Sequence, residues 1–155
     1  MKINIGLEDK TRKQVTGYLS VALANTYVLY TMTQNFHWNL VDPRFYSLHL
    51  FMEKLYDELA EGIDELAERI RKIGEPAPAT LKHFLKVSLI KEPEENLSGD
   101  KMLKELLNGH ETICRFLREH IDIINDLQDQ ATGDLFIKHL EFHEKSAWML
   151  RSHFN

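Results

Sequence analysis

The sequence contains one cysteine, Cys114, so no disulfide closes within the chain and a reducing cytoplasm is the simplest compartment. No apolar run approaches the 18 or so residues of a transmembrane helix, so no membrane partner is expected. The first ten residues, MKINIGLEDK, have no apolar core or small-residue cleavage site and do not read as a secretory signal. Positive charge is in deficit. Lys and Arg number 19 against 24 Asp and Glu, a formal net charge of -5, which argues against a general nucleic-acid binder and suits attraction of cations. The HExxH, P-loop and dinucleotide fingerprints are missing, which removes the enzyme classes they mark. No strand alternation, internal repeat or low-complexity segment is seen.

What the sequence has is helical periodicity, repeated four times in 155 residues that fit one domain, 1–155. The first helix is expected over Asp9 to His37, with Val15, Leu19, Leu23, Tyr27 and Tyr30 on one stripe. For the second, Asp42 is a natural N-cap, Pro43 suits the first helical position, and Gly74 with Pro76 ends the run. Between them Leu48, Met52, Leu55, Leu59, Ile63, Leu66, Ile70 and Ile73 recur at steps of three and four. The third starts near Ser98 and the fourth is capped by Thr132. The first and second helices, and the third and fourth, are joined by short links and form antiparallel hairpins. Glu75 to Leu97 is a long join containing Pro76, Pro78 and Pro93, with a short apolar segment, Leu81 to Ile90, that reads as a small helix. One long crossover is the ferritin-like form of an all-α four-helix bundle.

Four possible metal ligands lie on the second helix. At 100° per residue His49, Glu53, Asp64 and Glu68 fall at roughly 0°, 40°, 60° and 100°, one stripe off the core direction. The ordinary reading of such a stripe is a solvated charged face. His37 and Trp38, across the short turn, change the balance, because a histidine beside acids and aromatics suits iron. His49 and Glu68 lie roughly 28 Å apart along a helix, too far for one ion to use both from one chain. Two copies of this helix packed antiparallel about a two-fold axis would bring the His49/Glu53 end to the Asp64/Glu68 end of its mate. Glu-x-x-His pairs, which build metal sites inside a single bundle, are absent.

Phe36-His37-Trp38-Asn39, Phe45-x-x-Leu48-His49-x-x-Met52-Glu53-x-x-Tyr56 and Asp64-x-x-Ala67-Glu68-Arg69-Ile70 together resemble the signature of the Dps family of mini-ferritins. The resemblance continues through Thr132-Gly133-Asp134 and Ala147-Trp148-Met149-Leu150-Arg151. It implies a dodecameric shell with ferroxidase sites at its dimer interfaces, His37 and His49 coming from one subunit and Asp64 and Glu68 from the other. Glu53 matches the family's acidic position, and Trp38 the tryptophan beside the site that gives up an electron. The family oxidises ferrous iron (Fe2+ to Fe3+), usually with hydrogen peroxide, and stores the ferric mineral in its cavity, which limits hydroxyl-radical production. Acids near the turn into the last helix line a three-fold pore in the family, which implies that role for Asp126 and Asp134.

Other constellations are weaker. His139 and His143 have a metal-compatible spacing, but His143 lies on the apolar stripe and reads as a core or interface histidine. His110 and Cys114 share a helix face without further ligands. Asp129 reads as a loop acid, and Asp134 also suits a helix N-terminus. Family members that coat DNA use basic tails, whereas here only Lys2 precedes Lys10 and the sequence stops at Asn155. Lys10, Arg12 and Lys13 read as an ordinary helix surface. DNA binding is therefore expected to be weak or absent. The rivals to an iron-oxidising shell are a DNA-compacting protein with secondary iron chemistry and an interaction shell with weak oxidase activity.

Overall fold

A computed structural model describes residues 3–93 and 96–154; Lys2 and Asn155, named above for the tails, lie outside them. Its helices are α1 (Asp9–Asn39), α2 (Phe45–Lys72), α3 (Leu81–Val87), α4 (Gly99–Asp126) and α5 (Gln130–Arg151), and no strand occurs among the described residues. The four long helices form the all-α, ferritin-like bundle, with α3 in the crossover. Helix α1 packs on α2 and α4 on α5, and α1 also meets α4 and α3.

The crossover runs the length of the bundle. At one end Arg12 Nη1 of α1 donates to the Ile73 carbonyl just beyond α2, at 3.0 Å. At the other, Gly99 opens α4 so close to Asp42 that an added Cβ would meet its carboxylate at 2.3 Å. Helices α2 and α4 therefore start at the same end and run parallel, which a short loop cannot connect. The crossover is held to α1 along its way. Ser20 Oγ pairs with His83 Nε2 at 2.9 Å, and Asn25 Oδ1 accepts from Leu89 N–H at 2.7 Å and Ser88 Oγ at 3.1 Å.

Leu19, Leu23, Leu29, Leu48, Met52, Leu59, Leu66, Ile70, Leu103, Leu106 and Phe136 are almost wholly removed from water. Burial of such side chains stabilises the fold by about 1.5–3 kcal/mol each before chain entropy is counted. No helix among the described residues is long and apolar enough to cross a membrane.

The helix ends correct several expectations. Helix α1 continues past His37 to Asn39. Asp42 and Pro43 precede α2 in a turn, and Arg44 takes the N-cap position without a side-chain cap. Asp42 instead accepts from the Arg44 backbone N–H and guanidinium, at 2.8 and 2.7 Å, which holds its pKa down at about 2. Asp129, not Thr132, caps α5, accepting from Thr132 N–H at 3.1 Å. Asp129 is buried at 2% exposure rather than a free loop acid, and its carboxylate also takes the Thr132 hydroxyl and the Arg69 guanidinium, each at 2.6 Å. Asp134 lies beyond the first turn of α5, which carries no acid. The small helix ends at Val87, and Gly74, with φ +97°, closes α2 where it was expected to.

His143 does belong to the core. It and His110 are buried, with Nδ1 atoms 2.9 Å apart. One Nδ1 must carry the proton that the other accepts, so the two rings hold opposite tautomers. Burial depresses the pKa of both, that of His110 to about 3, and that of neighbouring His139 as well. An unfolded chain takes up these protons as pH falls through 6.5, while the folded chain does not. Their stabilising contribution is thus complete above pH 6.5 and is lost on the way down toward pH 3.

We expect unfolding free energy in urea to fall from about pH 6.5 downward by about 1.4 kcal/mol per pH unit for each histidine kept neutral. Asp42, with its lowered pKa, adds to the slope only below pH 4. Replacing both partners (His110→Leu with His143→Leu) removes two buried protonation sites and should flatten the decline between about pH 6 and about pH 5. An unchanged slope in that variant would show that the pair is not its source.

Candidate functional site

The last turn of α1 and the first turns of α2 meet because Phe36, Leu40 and Leu48 are buried together at the hairpin. Arg44 reinforces the turn by bridging Asp42 to Asp100 of α4, 2.7 and 2.6 Å away. This places His37 against His49. His37 Nδ1 donates to the His49 carbonyl at 2.9 Å, and His49 Nδ1 donates to the His37 carbonyl at 3.0 Å. A carbonyl oxygen only accepts, so both Nδ1 atoms carry a proton and Nε2 is the atom of each ring left to bind an ion. The His37 carbonyl is one of the four at the end of α1 that no helical N–H reaches, and His49 supplies the missing donor.

The imidazoles stack with centroids 3.7 Å apart and planes 16° apart. Phe45 covers His49 at 4.9 Å, and the edge of Tyr56 meets His37 at 5.2 Å and 84°. Burial raises the pKa of the Tyr56 phenol, and the Glu53 carboxylate adds to the effect. A pair of imidazoles oriented through Nδ1, with Nε2 left to bind, is an arrangement suited to a divalent transition ion.

The remaining predicted residues do not all join them. Glu53 follows His49 by one turn and is half-buried. Helix α2 is unbroken, so Asp64 and Glu68 lie toward its other end, Glu68 about 28 Å from His49 along the axis. Both acids are exposed, and Glu68 pairs with Lys72 at 3.0 Å. Trp38 stands 68% exposed. Among the described residues, no three His, Cys, Asp or Glu side chains of one chain are grouped to hold a metal ion. Asp126 ends α4 and Asp134 lies on α5, both exposed at the turn that Arg69 ties to α2 through Asp129.

Sequence reasoning had no role for Tyr56, although it lies seven residues after His49, two turns along the same helix. Phe45, four residues before His49, was likewise only a motif position. Their spacing was the available signal. A cavity of about 110 Å³ between α2 and α5 is lined by Glu58, Glu65, Lys138, His139 and His143 among others. His139 fits there because Gly62 has no side chain; a Cβ would come within 3.0 Å of the ring.

Comparison with known proteins places this arrangement in context. Residues 17–155 match the ferritin-like domain family. An uncharacterised low temperature-induced protein of Nostoc sp. is 40% identical over 153 residues, covering 97% of this chain and 86% of that protein. DNA protection during starvation protein 2 of Bacillus anthracis is 37% identical over 143 residues, covering 92% and 98%. The crystal structure of the Dps protein of Vibrio cholerae O1, described as a member of a broad superfamily of ferritin-like diiron-carboxylate proteins, has a TM-score of 0.94. It is 29% identical, and the match covers 100% of this chain and 98% of that one.

The reciprocal bonds make the two histidines energetically dependent on each other. In a cycle of His37→Ala, His49→Ala and the double variant, chemical unfolding should give a coupling of about 0.5–3 kcal/mol. Strictly additive losses would contradict the pairing.

Proposed function

The chain belongs to the Dps family of ferritin-like proteins, an iron-related family, and we propose that it oxidises ferrous iron at sites completed by two subunits. The ferric product is stored inside a hollow homo-oligomer, a dodecamer. The observation that carries the reading is the separation along α2. The tautomer-fixed histidines stand near its start and a pair of exposed carboxylates toward its end, about 28 Å away. One chain cannot bring them to a single ion, whereas two antiparallel copies of α2 can.

Each side of such a site has its own task. The Nε2 atoms of His37 and His49 offer neutral nitrogen ligands that suit ferrous iron. Asp64 and Glu68, with Glu53, offer anionic oxygens, which attract the higher charge of the ferric ion more strongly and so favour its formation. Only Oε2 of Glu68 pairs with Lys72, which leaves its other oxygen for the ion. Two ferrous ions supply the two electrons that hydrogen peroxide accepts, and two hydroxides result, so no hydroxyl radical need be released. Asp126 and Asp134 are suited to guide cations through a three-fold pore, and the setting is a cytoplasm under oxidative stress. The -5 charge on each chain repels DNA phosphates and attracts the substrate ion.

Subunits carrying His37→Ala with His49→Ala, and subunits carrying Asp64→Ala with Glu68→Ala, should each be inactive alone. Reassembled together they should recover part of the ferrous oxidation, because a mixed dimer has one site with no lost ligand. Light scattering should give twelve times 18.2 kDa for every correctly assembled sample. Mixed shells of that size that stay as inactive as both parents would defeat the shared site.

DNA binding should be undetectable in a gel shift with plasmid DNA at about 150 mM salt and neutral pH, since the net charge of -5 per chain opposes phosphates and salt screens what attraction scattered surface lysines supply. Tight complexes at sub-micromolar protein would favour the DNA-compacting rival.

A further inference from the structure

Besides its stacking partner His49, His37 meets the ring of Tyr56, and two more tyrosines continue from it. Tyr56 meets Tyr30 edge-on at 6.2 Å and 87°, and Tyr30 meets Tyr27 at 6.1 Å and 69°. Tyr27 then stacks on Phe84 of α3 at 4.6 Å and 23°. With the 5.2 Å step from His37 to Tyr56, every separation is an aromatic contact distance. Helix α2 supplies Tyr56, and α1 supplies Tyr30 and Tyr27 one turn apart. All three tyrosines are half-buried, so the line leads from the histidine pair through partly dry protein to the crossover side of the bundle. Trp38, in contrast, is largely exposed.

Three of the chain's five tyrosines stand in this line. Phenylalanine would fill the same space without a hydroxyl to solvate. What tyrosine adds is a phenol that can give up an electron and a proton together. Gln34 Nε2 donates to the Tyr30 oxygen at 2.9 Å, so that oxygen keeps a hydrogen-bond donor when its own proton leaves.

We propose that Tyr56, Tyr30 and Tyr27 form a relay that carries an oxidising equivalent away from the His37/His49 site. The relay rests on the iron-oxidising reading above and acts when peroxide meets a site holding one ferrous ion instead of two. The ion gives one electron and becomes ferric, and Tyr56 gives a hydrogen atom. The O–O bond breaks, one oxygen leaves as hydroxide and the other as water, and Tyr56 is left as a neutral phenoxyl radical. An electron then passes from Tyr30 to Tyr56, with Tyr56 regaining a proton and Tyr30 losing one. The same exchange with Tyr27 moves the radical to the far end of the line, away from the iron ligands.

The test uses the assembled protein with one ferrous ion per site and a pulse of hydrogen peroxide, freeze-quenched for electron paramagnetic resonance. Ferric absorbance is recorded on the same samples. Trp38→Phe serves as the parent, which removes the rival electron donor. The parent should give a tyrosyl signal, and adding Tyr56→Phe, which keeps the ring contacts, should abolish most of it. Adding Tyr30→Phe should keep the signal but stop oxidative modification of Tyr27 detected by mass spectrometry. Ferric product with no tyrosyl signal in the parent, or with a signal that Tyr56→Phe leaves intact, overturns the relay alone. Tyr27 modification that persists in Tyr30→Phe overturns the order of the line. Absence of ferric product in the wild-type protein overturns the proposed function, and the relay with it.

Discussion

Two hydrogen bonds, each from an imidazole to the other histidine's backbone carbonyl, set the conditions for everything else at this site. They close the α1–α2 hairpin where α1 runs out of helical donors, so they are part of the fold. They also fix both tautomers, so they are part of the chemistry. Ligand preparation and helix termination are the same contact. The stacked rings, the Phe45 cover and the Tyr56 edge depend on it, because each requires the two imidazoles to stay in register.

A second tie acts at the opposite end of α2. Arg69 Nε donates to the Thr132 hydroxyl at 2.8 Å, and its Nη2 to buried Asp129. Asp129 in turn caps α5. One guanidinium beside Glu68 thus positions the turn that joins the end of α4, where Asp126 lies, to α5, which carries Asp134. Breaking such a buried pair by removing one partner costs about 3–5 kcal/mol, since the other charge stays behind without its counterion. The placement of the proposed pore acids is therefore coupled to the helix that carries the proposed iron ligands.

The helices and their order were legible in the sequence because burial enforces the 3.6-residue period over many turns, as Leu48, Met52, Leu55, Leu59, Leu66 and Ile70 show. The long proline-containing join disclosed the crossover for a similar reason, since parallel neighbours need a long connection. Caps were less legible. Asp42, Asp129 and Thr132 are all good N-cap residues, and only tertiary partners (Arg44, Arg69, Gly99) decide which one caps. Of the site, His37 and His49 could be picked out by type and position, but their exchange of carbonyls could not, because it depends on the angle at which the two helices meet. The same holds for the core pair, where His110 was matched with Cys114 on its own helix while its true partner, His143, lies on α5.

The length of α2 has a genetic consequence. On the shared-site reading, every subunit contributes histidines to one site and carboxylates to another. In a cell making normal and altered subunits together, an allele lacking only its histidines would reduce intact sites in proportion to its share of the pool. An allele lacking both ligand sets would spoil whichever site either end entered, and intact sites would fall as the square of the normal share. The helix that keeps the two half-sites apart would thus turn a twofold dilution of good subunits into a fourfold loss of function, and ligand-deficient alleles would act as partial dominants.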